Sequence, residues 1–270
     1  MRYALALEYD GGSFCGFQSQ PPACAVQDAL ERALTAIAAA PVRVAAAGRT
    51  DAGVHATSQI VHFDTAAQRP AMAWVRGVNA HLPAAVSVLW CREVAEGFHA
   101  RFAATGRHYT YLLLNRPQRP GLASGRVGWH HVPLDADAMR DAAGRLLGTH
   151  DFSSFRAAEC QARSPVKTLR RLDVTRLAVS GDGALLRFDL AADAFLHHMV
   201  RNIVGTLVDV GAGRREPAWI DELLAAADRR RGAPTFPAAG LYFTGADYDP
   251  GFGLPATRRD LATDVAPFAG

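Results

Sequence analysis

The sequence predicts an α+β protein of two ferredoxin-like, or RRM-like, halves, with mixed, mainly antiparallel sheets around a central cleft flanked by helices. Three observations predict it. Short runs with strand alternation and longer runs with helical spacing follow one another in the order β-α-β-β-α-β. That order returns in the second half, as a repeat of elements and not of letters. At 270 residues, 49% of them hydrophobic, the chain is long enough for two ordinary domains with sizeable cores.

Tyr3 to Tyr9 alternates as a strand does, with Tyr3, Leu5, Leu7 and Tyr9 on one face, and Asp10-Gly11-Gly12 ends it in a turn. From Val26, the positions Ala29, Leu30, Ala33, Leu34 and Ile37 form a helical stripe that Pro41 stops. Val42 to Ala47 and Ser58 to Asp64 read as the next two strands. A helix over Ala71 to His81, closed by Pro83, leads to a strand at Val86 to Arg92.

In the second half, a strand at Arg107 to Leu114 and a helix at Asp135 to Leu147 precede strands at Arg170 to Ala178 and Ala184 to Leu190. A helix over Phe195 to Val210 and a closing strand at Gly240 to Tyr248 complete the order. Loops at Asn115 to Val132 and His150 to Thr168, and an extra helix at Pro217 to Arg229, enlarge this half. The expected division is 1–105, 106–253 and a loose C-terminal tail at 254–270, rich in Pro, Thr and Asp.

Composition narrows the function classes. The formal charge of +3 is compatible with a polyanionic partner and far from that of a histone-like binder. Lys167 is the sole lysine, so almost every cation is an arginine, whose planar fork suits phosphates and stacks on bases; coding bias in a GC-rich genome accounts for it equally well. Cys15, Cys24, Cys91 and Cys160 are scattered with no C-x-x-C pair, which predicts free thiols and neither a zinc site nor a disulfide scaffold. An alternating N-terminus carrying Glu8 and Asp10 is unlike a signal peptide, and no apolar run reaches a membrane span. The expected location is the cytoplasm. Walker A, G-x-G-x-x-G and G-x-S-x-G loops are all missing from the sequence, which weakens nucleotide-hydrolase, nicotinamide and α/β-hydrolase readings.

The chemistry points to Gly48-Arg49-Thr50-Asp51-Ala52-Gly53-Val54-His55-Ala56, the connection between the two middle strands of the first half. Glycines on both sides of one carboxylate let the backbone turn tightly and a bulky ligand approach, and Arg49 offers a planar cation two residues away. A plain β-turn, with Asp51 bonding its own backbone, uses the same letters. Phe98-His99-Ala100-Arg101-Phe102 and Arg107-His108-Tyr109-Thr110-Tyr111 are basic and aromatic together; Arg107, Tyr109 and Tyr111 share a strand face that suits either base stacking or a core.

From 150 to 171, five cations (Arg156, Arg163, Lys167, Arg170, Arg171) face two acids (Asp151, Glu159), interleaved with Phe152 and Phe155, a composition that fits an RNA backbone or a solvated loop. On a helix, His197 and His198 point about 100° apart and do not chelate one ion together. Arg201, on a helix otherwise this apolar, requires a carboxylate partner, and Asp51 is the candidate. The Arg229-Arg230-Arg231 cluster reads as a structural cap on a helix C-terminus.

Taken together, GRTDAGVHA, FHARF with R-H-Y-T-Y, HDFSSFRA with CQARSP, FLHHMVRNIVG and the late Gly240-Leu241-Tyr242 resemble the tRNA pseudouridine synthase A (TruA) family over nearly the whole chain. The resemblance implies a pseudouridine synthase fold and a cofactor-free, metal-free isomerase acting on uridines 38, 39 and 40 of the tRNA anticodon stem-loop. It implies a homodimer holding tRNA across both subunits. By motif, Asp51 matches the catalytic aspartate, Tyr109 the active-site tyrosine, Arg49 the arginine that helps displace the base, and Arg201 the arginine paired with the aspartate. Arg107, Phe155, Arg156 and Arg163 are the expected further RNA contacts. Three positions depart from the family pattern. Phe17 replaces a common tryptophan, Ala25 a serine that caps the first helix at about 1 kcal/mol, and His108 an arginine.

Two rivals remain. A non-catalytic RRM-like RNA-binding protein calls for an RNP1 stretch, which the sequence lacks. A metal-dependent phosphodiesterase would use Asp51, His55 and His62.

Overall fold

The structure is a computed structural model that describes residues 1–179 and 183–261. The chain forms two units, Met1–Arg107 together with Tyr242–Gly270, and His108–Leu241.

The first unit begins with β1 (Arg2–Tyr9), α1 (Val26–Ala38), β2 (Val44–Ala46), β3 (His55–Asp64), α2 (Ala71–His81) and β4 (Val86–Val94). β1 lies between β4 and β3, antiparallel to both, and β2 runs antiparallel along the far edge of β3 from Val44↔Phe63 to Ala46↔Val61. That pairing is the one a β-α-β-β-α-β order produces when each crossover leaves room for one strand between its ends. β1 is buried on both faces, since Ala4 and Ala6 are as covered as Leu5 and Leu7.

Two helices supply the apolar layer. α1 buries Val26, Leu30, Ala33 and Leu34, and α2 buries Trp74 and Val78. Gly77 of α2 leaves room for Ile37 of α1: a Cβ there would lie 2.8 Å from the Ile37 Cδ1. Ala25 at the N-cap of α1 has no side-chain acceptor, but the Asp28 carboxylate accepts the Ala25 N–H at 2.9 Å and the Ser19 hydroxyl at 2.6 Å. An acid in the first turn also favours the helix dipole, which offsets part of the missing cap.

The second unit comprises β5 (Gly106–Asn115, of which Gly106 and Arg107 belong to the first unit), β6 (Gly128–His130), α3 (Ala136–Arg145), β7 (Gly148–Asp151), β8 (Val166–Ala178), β9 (Ala184–Ala192), α4 (Met199–Gly211) and α5 (Trp219–Ala226). Its strand order is β5-β9-β8-β7, with β6 parallel to β5. β6 lies within a stretch expected to be a loop, and β7 straddles the start of the one expected from His150; at three and four residues they are too short for alternation to register. α3 starts at the Asp135 cap, whose carboxylate accepts the Asp137 and Ala138 N–H groups. α4 is buried almost all round, as befits a core helix.

Three expectations in this unit need correction. α4 starts at Met199 and not at Phe195, because His198 adopts φ 62°, a left-handed conformation that no helix interior accommodates. His197 and His198 therefore precede the helix, their rings 4.0 Å apart, and the argument from helical spacing does not apply to them. The Arg229–Arg231 cluster is not the end of α5, which closes at a left-handed Ala227; it forms its own 3-10 turn, capped by the Asp228 carboxylate.

The last strand, β10 (Leu241–Asp247), runs parallel to β3, pairing Tyr242 with His55 and Phe243 with Ala56. From Tyr242 onward the chain groups with the first unit, although the order of elements placed this strand in the second half. Residues 254–261 are not loose. The Thr57 hydroxyl donates to Arg259 O at 2.8 Å, Ser58 to Thr257 O at 3.0 Å, Arg259 pairs with Glu8, and Leu261 is buried. The rest of the expected tail lies outside the described residues.

The cysteines also differ from expectation. Cys15 and Cys24 form a disulfide with Cα atoms 5.5 Å apart, while Cys91 and Cys160 are free. The Cys15 N–H donates to Cys24 O, so the Phe14–Ala25 excursion folds back on itself and closes a pair that spacing alone does not announce.

Candidate active site

Asp51 is half-buried on the loop between β2 and β3. The Val54 N–H donates to Asp51 O at 3.1 Å, closing a four-residue turn with Gly53 at φ 77°, where a side chain would be strained. The turn reading of these letters is therefore correct for the backbone, and it leaves Asp51 half-buried.

A frame of buried groups holds that loop from behind. The Gln59 side chain, fully buried on β3, donates to Gly48 O at 2.7 Å and accepts the Gly48 N–H at 3.4 Å. The Tyr9 hydroxyl lies 2.8 Å from the Thr50 hydroxyl and 3.4 Å from the Gln59 amide. Burial pushes the Tyr9 phenol up to about 12, the bonds to Thr50 and Gln59 acting against it, so it remains neutral at physiological pH. In front, the Phe17 N–H donates to Thr50 O at 2.9 Å, and Phe17 is buried beside Tyr9.

Gly16 (φ 103°) and Gly11 permit this contact. A Cβ at Gly16 would lie 2.8 Å from Thr50 O, and one at Gly11 would collide with the Val54 carbonyl. Tyr9, Thr50 and Gln59 were missed in the sequence. Their available signal was polar groups on buried strand positions, which demand partners.

Arg107 is committed within the same unit. Its guanidinium donates to Ala104 O at 3.0 Å, Arg101 O at 2.6 Å and Ala47 O at 3.4 Å, joining the 101–104 loop to the residue that precedes Gly48. Arg49 is exposed. His55 and His62 do not make an ion site with each other. At about 3.3 Å per residue they lie about 23 Å apart along β3. His55 is stacked on Tyr242 at 4.7 Å, with Nδ1 3.1 Å from Asp10 Oδ1. His62 accepts the Ala100 N–H at 3.2 Å, and burial, His99 and Arg2 lower it to about 4, so it is neutral at pH 7.

The other expected residues belong to the second unit. The Tyr109 ring meets Phe195 edge-on at 5.0 Å and is half-buried. Arg201, in the first turn of α4, donates through Nε to Phe236 O at 2.8 Å. Tyr111 is core, its hydroxyl donating to Pro237 O at 2.8 Å.

Arg156 is half-buried and Arg163 exposed, but Phe155 is fully buried and is not an RNA contact. It packs against Phe152, and its carbonyl accepts the Asn202 Nδ2 at 2.7 Å. Apolar side chains in a basic loop have two uses, and here the loop needed anchors.

Residues 5–103 and 142–249 match the family model described as tRNA pseudouridine synthase, and the chain belongs to that family. It is similar to the tRNA pseudouridine synthase A of Thiobacillus denitrificans, with 62% identity over 259 residues, 96% of this chain and 98% of that one. It is also similar to the proteins of that name from Dechloromonas aromatica (58% identity; 97% of this chain, 98% of that one) and Methylobacillus flagellatus (56% identity; 98% of this chain, 100% of that one). The family isomerises uridine to pseudouridine in tRNA, and its pseudouridine synthase fold is of the α+β class described above.

Proposed function

We propose that this chain is a cofactor-free isomerase converting uridine to pseudouridine at positions 38, 39 and 40 of the tRNA anticodon stem-loop, with Asp51 as its catalytic residue. The observation that carries the assignment is the braced turn, in which buried groups hold the loop around Asp51 while Asp51 itself stays half-buried. The reaction breaks the N1–C1′ bond, turns the base and forms C5–C1′; the proton leaves C5 and N1 gains one. Atoms and oxidation state balance without a co-reactant. One ionised carboxylate against the ribose or base suffices as nucleophile or base.

Arg201 is the proposed partner that keeps Asp51 ionised. A uridine in a stem must first leave the stack; exposed Arg49 fills the gap, and Tyr109, its ring fixed by Phe195, stacks on the displaced base. Arg107, Arg156 and Arg163 are proposed to add contacts to RNA, Arg107 in addition to its bonds within the unit. The working form is a cytoplasmic homodimer with tRNA held across both subunits.

The test is to incubate the protein with unmodified tRNA and map pseudouridines by carbodiimide labelling and primer extension. Stops at 38–40 are expected. Unaltered uridines there, with intact RNA, would overturn the assignment. Sedimentation of the protein alone and with tRNA checks the dimer.

A further inference from the structure

In the first unit one large apolar side chain stands out in solvent on a rigid support. Phe102 is 76% exposed. Its ring stacks on His99 at 4.3 Å and 30°, and His99 meets the buried His62 ring at 4.5 Å with a tilt of 59°, so the column of contacts ends in the protein interior. The Arg101 guanidinium lies over the Phe102 ring, 5.7 Å from its centroid, adding a cation to the exposed aromatic.

The segment is held at every turn. The Arg101 and Phe102 N–H groups both donate to His99 Nδ1, at 3.1 and 3.3 Å. Phe98 and Ala100 are fully buried, Ala100 O accepts the Tyr248 hydroxyl at 2.6 Å, and Arg2 donates to Phe98 O at 2.9 Å. Accepting two backbone N–H groups requires an unprotonated Nδ1. Burial, Arg2 and Arg101 lower His99 accordingly. An exposed aromatic held this firmly loses little conformational freedom when something flat settles on it.

Its place in the unit says what that object is. Arg107 bonds the carbonyls of Arg101 and Ala104 on one side and Ala47 on the other, so the Phe102 loop is tied to the residue that leads into the Asp51 loop. His62, at the base of the column, pairs across the sheet with Ala45 of β2, the strand running into the same loop. A ring with an adjacent guanidinium, fixed beside the loop that carries the proposed catalytic carboxylate, offers a π-face and a cation to an unpaired base.

We propose that Phe102 is a substrate-binding residue on which a base flanking the target uridine stacks, with Arg101 beside that nucleotide's phosphate. The inference rests on tRNA being the substrate, as proposed above. Its occupant is a nucleobase of that tRNA and not a second copy of the chain.

The experiment uses the full-length protein and unmodified tRNA. Turnover by the parent is measured first, and its absence would count against the proposed function and not against Phe102 alone. Phe102→Ala is expected to raise the KM for tRNA between about 5- and 150-fold, the equivalent of ~1–3 kcal/mol of stacking, with a smaller effect on kcat. Its melting temperature should stay unchanged, since the side chain is exposed. Met72→Ala, at an exposed apolar side chain on α2, controls for surface hydrophobicity and should leave KM at the parent value.

In the Asp51→Asn background, Phe102→Trp should gain an indole signal that tRNA quenches beyond the quenching seen without the substitution. An unchanged KM in Phe102→Ala, an unquenched added indole, or a variant that loses its dimer and binds tRNA as before would each overturn the proposal.

Discussion

The Gly48–Ala56 loop of the first unit and the 150–163 segment of the second are both dense in glycine or serine, arginine and unusual side chains, yet they use those letters in opposite ways. In the first, the framework holds the loop: Gln59 and the Phe17 amide satisfy its backbone from outside, Tyr9 reaches the Thr50 hydroxyl, and Asp51 is left half-exposed. In the second, the segment holds the framework. Phe152 and Phe155 are fully buried, and the Ser154 hydroxyl donates to Leu223 O near the end of α5 while accepting the Asp228 N–H. The lesson is that side-chain type does not reveal function until one knows which partner supplies the hydrogen bonds.

Four substitutions test the contrast, in descending order of effect. Asp51→Asn should reduce pseudouridine formation to background while filter binding shows tRNA still captured; parent-like turnover would remove Asp51 from the chemistry. Phe155→Ala should cost about 3–5 kcal/mol of stability, read by thermal or denaturant unfolding, with tRNA affinity of the folded protein retained. Weakened binding without a drop in stability would make the second segment an RNA surface after all.

Gln59→Leu leaves both polar groups of half-buried Gly48 without that partner, at about 1 kcal/mol. Its kcat should fall more than KM rises, because the loop's backbone and not its tRNA surface is disturbed. The smallest effect is in acid. His62 is neutral in the fold and takes up a proton on unfolding, so it adds nothing above its ordinary 6.5 and costs stability as pH falls from there to about 4. His62→Gln should therefore make the decline across that window shallower in unfolding titrations.

Most of the architecture was legible because period and punctuation agreed. Leu30 and Leu34 marked α1 before Pro41, and α2 spans Ala71–His81 as expected. What escaped was non-local or short. Three residues at β6 carry no period, His198 turns the chain against an otherwise helical pattern, and no local signal ties Tyr242 to His55 or Cys15 to Cys24. For the candidate site, the tight turn that carries Asp51 could be read directly from its glycines. Gln59 could not, because an amide on a strand reads as surface until the strand is found buried. Phe155 was misread for the converse reason, an aromatic among arginines being equally suited to RNA and to a core.

The parallel pairing of β10 with β3 has a consequence for how the molecule comes into being. A ribosome releases β1 to β4 early, but the strand that completes this unit is made last, after the whole second unit has been synthesised. Until then the N-terminal end of β3, immediately after the loop that carries Asp51, has an unpaired edge open to wrong partners. The second unit, contiguous in sequence, can finish folding in the meantime. Nascent chains should therefore acquire protease resistance in the order second unit, then first, the reverse of their order of synthesis.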